Sequence, residues 1–216
     1  MKHTIFAVAL TVASISAAHA DAINGLYNTG LGASGSQDIH YTLAAASSDT
    51  SISNTAPYIT YASTAQVGNQ WLDNDLISKW ITPTAIQSQT FDASANGSYT
   101  YTLTFDLTGY NAASALFTGR LASDNGVSVL LNSNSIGSSV GYGSWSSFSA
   151  NSGFAAGLNT LEFVVTNYAQ SGGNPTGLRV EFQDSNVTAV PEAETYAMLL
   201  GGLAMLGALA RRRRCK

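Results

Sequence analysis

The chain has 216 residues, with 9 basic side chains against 13 acidic ones and a formal net charge of −4. Charged residues are only 10% of the total and there is a single cysteine, which argues against a nucleic-acid partner and excludes an internal disulfide framework. The charge is unevenly placed: from Asp21 to Val190 only Lys79, Arg120 and Arg179 face eleven acidic residues, a net −8, while Arg211, Arg212, Arg213, Arg214 and Lys216 close the chain.

Read in order, residues 1–20 have the pattern of a secretory signal peptide: Lys2 and His3, an apolar run from Ile5 to Val12, and Ala18-His19-Ala20 as an A-x-A-like cleavage site. The mature chain is then expected to start at Asp21. The body that follows has strands rather than helices. Ser98 to Leu107 alternates most clearly, with Tyr99, Tyr101, Leu103, Phe105 and Leu107 on one face and Thr100, Thr102, Thr104 and Asp106 on the other. Leu161–Thr166 and Leu178–Gln183 repeat that pattern, which adds Leu161, Phe163, Val165, Leu178, Val180 and Phe182 to the expected core. Shorter candidates are Ile39–Leu43, Tyr58–Tyr61, Ala115–Leu121 and Val127–Leu131, and Trp71 to Ile77 suits one helical turn. Asn96-Gly97, Gly109, Asp124-Asn125-Gly126, Asn151-Ser152-Gly153 and Gly172-Gly173-Asn174-Pro175 read as turns between strands. Many short strands without intervening helices predict an all-β fold, one antiparallel β-sandwich over residues 21–186.

Residues 187–195 are expected to be a linker containing Val190-Pro191-Glu192-Ala193. Tyr196 to Ala210 carries no charge and is expected to be a transmembrane helix, although its 15 residues span roughly 22 Å against a hydrocarbon core of about 30 Å. Residues 211–216 would form a cytoplasmic basic tail, because arginines favour the inner side. The membrane is thus an expected partner before processing.

This arrangement of a short Pro-Glu motif, one hydrophobic helix and an arginine cluster resembles the C-terminal sorting signal of the PEP-CTERM family. Val190, Pro191 and Glu192 match the family pattern, and Ala193 stands where the second proline would be. The resemblance implies an exosortase as partner, cleavage near the motif, and a Gram-negative host that makes exopolysaccharide. The implied route is export across the inner membrane, transient anchoring by the helix, then the cell surface or extracellular matrix.

The body is similar to jelly-roll domains of the galactose-binding-like class. The residues carrying this are Ser78-Lys79-Trp80-Ile81-Thr82-Pro83, the strand from Tyr99 to Leu107, Thr118 to Gly126, Gly153 to Leu161, and Thr176-Gly177-Leu178-Arg179-Val180. The resemblance implies a β-sandwich and leaves the ligand open.

No catalytic residue emerges. His40 is the one histidine of the mature body and lies in a candidate strand; no Gly-x-Ser-x-Gly elbow accompanies it. One histidine and no cysteine exclude structural zinc there. Asp106, Glu162 and Glu181 occupy polar phases of their strands and read as solvated sheet face rather than as a glycosidase pair. No organic cofactor is expected. Calcium is the one metal worth weighing, with Asp73, Asp75 and Asp124 as oxygen ligands, against a simpler reading of these residues as turn formers. Glycan recognition needs an aromatic platform with planar polar neighbours. Trp145, set among glycines in an expected loop, is the platform candidate, with Arg120, Asn125, Asn167 and Tyr168 as polar contacts; Trp80 and Phe105 are assigned to the core. The expected function is a non-enzymatic structural or adhesive protein of the surface or exopolysaccharide matrix. The alternative is a carbohydrate-binding module with a defined glycan site, and a glycoside-active enzyme comes third.

Overall fold

The computed structural model describes residues 20–47, 52, 55–61, 70–190 and 193–214. The expected signal peptide, apart from Ala20, and Pro191 and Glu192 of the sorting motif lie outside the described residues. The strands are β1 (Ala20–Asp21), β2 (Thr42–Ala46), β3 (Tyr58–Ile59), β4 (Ile81–Thr82), β5 (Gly97–Asp106), β6 (Tyr110–Leu131), β7 (Asn134–Ala150), β8 (Leu158–Asn167) and β9 (Gly177–Ala189). Their order is β2-β5-β8-β6-β9-β4-β3, with β7 lying along β6 and β1 along β9. The fold is antiparallel β, curled as in a sandwich, and is followed by a single helix.

β6 makes the curl. Its 22 residues form one strand, yet its register with β7 shifts between Leu121 and Ser123 and again between Ser123 and Gly126. Beyond these bulges, Gly126–Leu131 pair with Thr166–Leu161 of β8. Bulges bend and twist a strand, so one strand can serve two layers. Asp124-Asn125-Gly126 was expected to be a turn; it is this bend. The reversal comes later, at Asn132 and Ser133, whose φ angles of 49° and 67° suit a tight hairpin of the primed type.

The core follows from alternation. Tyr99, Tyr101, Leu103, Phe105 and Leu107 are buried while Thr104 and Asp106 are exposed, as the two-residue period requires. Leu161, Phe163, Val165, Leu178 and Val180 are buried with them. Phe182 is only partly buried, packing edge-on against Phe117 and Phe148 with ring centroids at 5.7 and 5.8 Å. Phe148 of β7 also meets Phe163 of β8 at 5.6 Å, although the two sit opposite Gly119 and Val129, ten residues apart on β6, so the contact closes the curl of the sheet. Gly119 permits this closure: a Cβ there would stand 2.6 Å from the Phe148 ring and 2.9 Å from the Glu181 carbonyl oxygen.

Several boundaries differ from expectation. β7 covers the segment read as a loop around Trp145. It pairs with β6 only, and backbone bonding to one neighbour demands no apolar alternation from its Ser- and Gly-rich sequence. His40 precedes β2 and stacks on Tyr27 with centroids 3.8 Å apart, instead of sitting in a strand. Trp71 to Ile77 forms no helical turn. The expected linker from residue 187 is still strand, because Val187 is fully buried and pairs with Asp21.

The tail forms α1 (Ala193–Arg214). Among the described residues no helix is long and apolar enough to cross a membrane. The expected transmembrane helix over 196–210 is therefore corrected: its apolar stretch falls short of the hydrocarbon thickness, and arginines occupy the helix's last turn. The localisation that depended on transient anchoring by this helix falls with it.

Candidate functional site

On β9 the core-facing Leu178 and Val180 alternate with Arg179 and Glu181, so the latter two point to the outer face of the sheet. That face is not bare. The segment from Trp71 to Trp80 lies over it and makes a second, smaller core of Trp71, Trp80 and Ala122, against which Leu72, Tyr142 and Trp145 pack. Trp71 and Trp80 meet with ring centroids 4.3 Å apart. Within the segment Trp80 Nε1 donates to the Leu72 carbonyl at 2.8 Å and the Trp80 amide to Asn74 Oδ1 at 2.9 Å, while the Leu72 amide donates to the Tyr142 carbonyl of β7 at 3.0 Å and Asn74 Nδ2 to the Tyr61 carbonyl at 2.9 Å, among other bonds that tie it down.

Beneath this cover Glu181 is 3% exposed and Arg179 1% exposed. One carboxylate oxygen of Glu181 accepts from Arg120 Nε at 2.7 Å and lies 2.6 Å from Arg120 Nη2. The other accepts from Ser78 Oγ at 2.7 Å and from Arg179 Nη2 at 3.3 Å. Arg179 also donates from Nε to Ser78 Oγ at 2.6 Å and from Nη1 to the Asp73 carbonyl, and its Nη2 reaches Asp75 Oδ2 at 2.9 Å. Each charge thus keeps a partner in a place where an isolated one would be costly. Both guanidinium groups stand over the half-buried Trp145 ring, Arg120 at 4.4 Å and Arg179 at 4.7 Å from the centroid.

Of the expected glycan residues, Trp145 and Arg120 come together, Trp145 lying on a strand rather than in a loop. Asn125 and Tyr168 are joined to each other instead, the Tyr168 amide donating to Asn125 Oδ1 at 2.8 Å. Asn167 is fully buried and donates from Nδ2 to Asp92 at 2.9 Å. Glu181, read from sequence as solvated sheet face, is the buried hub of the ion network. Arg179, Ser78, Trp71 and Trp80 were not foreseen as site residues. The available signal was the pair of tryptophans bracketing a polar segment, with two of the body's three cations elsewhere in the chain.

Of the residues considered for calcium, Asp75 and Asp124 accept hydrogen bonds from the protein through their carboxylates. Asp75 Oδ1 accepts the amides of Ile77 and Ser78 at 2.7 and 2.9 Å. Burial pushes the Asp75 carboxyl up, but these two amides and the Arg179 guanidinium together hold it below its ordinary value. Asp73 supplies its carbonyl to Arg179. Asp124 accepts from Trp71 Nε1 at 2.8 Å and from Asn125 Nδ2 at 2.6 Å. Among the described residues no group of three or more His, Cys, Asp or Glu side chains is arranged to hold a metal ion.

Asp124 carries a pH dependence. Burial raises its carboxyl to about 6, against a partial opposing effect from the Trp71 bond. A folded-state value above the unfolded one means that the contribution of Asp124 to stability is most favourable below about pH 4 and declines as the pH rises through about 6, by up to about 3 kcal/mol. Asp124→Asn is therefore expected to gain on the parent as the pH rises from 4 to 7. Denaturant midpoints of both proteins across that range measure the difference, and a constant gap would contradict the assignment.

Residues 189–214 match the PEP-CTERM protein-sorting motif. The match covers the tail and leaves the β-sheet body outside it. No curated protein matches the chain at a significant level. Among solved structures, the body is similar to a family 29 carbohydrate-binding module at 10% identity, covering 80% of this chain and 93% of that one with a TM-score of 0.36. A family 11 carbohydrate-binding module of a cellulosomal cellulase from Clostridium thermocellum gives 8% identity, coverage of 82% and 98%, and a TM-score of 0.35. A PA14 sugar-binding domain from an RTX adhesin gives 14% identity and a TM-score of 0.27, covering 46% of this chain and 56% of that one. Scores at this level transfer neither ligand nor residue role to this chain.

Proposed function

We propose that this is a non-catalytic carbohydrate-binding protein, delivered to an exosortase by its sorting motif, with the glycan seated on the Trp145–Arg120 face. The observation that supports this is the placement of Trp145. Its indole is half-buried on an outer sheet face and braced by two guanidinium groups, themselves fixed by a buried carboxylate. A sugar's C–H face needs such an apolar ring, held rigidly so that little is lost in ordering it. Around the ring, Arg120 is 32% exposed and Asp75 46% exposed, which supplies a donor and an acceptor for hydroxyl groups. Tyr142 adds a hydroxyl that donates to Gln70 at 3.0 Å, on the exposed side.

Affinity gel electrophoresis of the full chain in a panel of soluble polysaccharides tests the reading. At least one glycan should retard the protein, and Trp145→Ala should weaken that retardation by about 30-fold, the loss usual for a central aromatic contact. Circular dichroism checks that the variant keeps its β structure. Retardation that is unchanged in a folded Trp145→Ala protein would overturn the assignment.

A further inference from the structure

We infer that the glycan taken by the Trp145–Arg120 face is neutral, without carboxylate, sulfate or phosphate groups; the inference rests on the glycan reading above. The site contains two of the three cations of the body, and both are already held by carboxylates. Arg120 gives Nε and Nη2 to one oxygen of Glu181, and Arg179 is shared between Glu181 and Asp75. The third cation, Lys79, donates from Nζ to the Gly32 carbonyl at 2.8 Å. An anionic group could take the paired Nε–Nη2 edge of Arg120 only by displacing Glu181, which would leave a carboxylate 3% exposed and short of its main counter-charge; at the remaining Nη1 it would meet a guanidinium whose charge Glu181 already offsets.

The surrounding field points the same way. Three basic against eleven acidic residues from Asp21 to Val190 repel a polyanion before contact. Asp75, exposed at the edge of the face, is held ionised by the Ile77 and Ser78 amides and by Arg179. It can accept a hydrogen bond from a hydroxyl but opposes a second carboxylate. Among the described residues Arg120 Nη1 has no hydrogen-bond partner, and it can donate to a sugar oxygen without disturbing Glu181.

The test is affinity gel electrophoresis of the full chain with neutral β-glucans and mannans beside alginate, polygalacturonate and a sulfated glycan, at low and at high salt. At least one neutral glycan should retard the protein, with less than about a twofold change on adding salt, and the anionic glycans should not retard it. Preferential retardation by an anionic glycan that collapses in high salt would overturn the inference and leave the glycan reading standing. Absence of retardation in every gel would overturn both.

Discussion

Glu181→Ala is expected to destabilise the protein by about 3–5 kcal/mol, the usual cost of removing one partner from a buried ion network. The carboxylate receives both guanidinium groups and the Ser78 hydroxyl, and it is 3% exposed. Alanine would leave Arg179, 1% exposed, with Asp75 as its remaining charged partner. It would also free Arg120 from its fixed place against the Trp145 ring. The effect should therefore appear in two readouts, a lower denaturant midpoint and a change in tryptophan fluorescence, because both guanidinium groups lie against the Trp145 indole. Replacing Arg179 and Glu181 together by methionine and leucine should recover most of the loss, since a buried pair exchanged for apolar groups is often close to neutral. A single-variant cost below about 1 kcal/mol would show that the covering segment holds the face without the ion network.

Phe105→Ala is expected to cost a similar amount, about 3–5 kcal/mol, through lost burial and the cavity left behind. Phe105 is 3% exposed, meets the Phe154 ring at 6.3 Å, and lies under the chain at Gly25, where a Cβ would come within 2.9 Å of its own Cβ. Chain packed that closely cannot collapse easily into the vacated space. Thr104→Ala, one residue away on the exposed face, should cost less than about 1 kcal/mol. Chemical denaturation of the pair measures the two faces of β5 directly. Equal costs would mean that the strand is not inserted as its alternation requires.

Local pattern was enough for some features and not for others. The period of two in Tyr99–Leu107 placed five side chains in the core before any partner strand was known, because successive residues of a strand must point to opposite faces. The tail was legible for a different reason: the order Val190-Pro191-Glu192, apolar run, arginine cluster is linear and needs no folding to be recognised. The length of its apolar run was legible as well, and that length tells against a membrane crossing.

Tertiary structure alone decided what covers the outside of the sheet. Alternation says that Arg179 and Glu181 leave the core face; it cannot say that Trp71 to Trp80, about a hundred residues earlier, will close over them and turn a wet face into a buried ion network. The same limit explains β7. Its pairing is made by backbone groups along β6, so Ser- and Gly-rich sequence without an apolar rhythm was read as loop, and Trp145 with it. At Asp124-Asn125-Gly126 a strong local turn preference was overridden by ladder bonding on either side, which kept β6 continuous and used the irregularity as a bend. Propensity and period act over a few residues, whereas the site is assembled from β6, β7, β9 and the segment before β4, and only the fold brings those together.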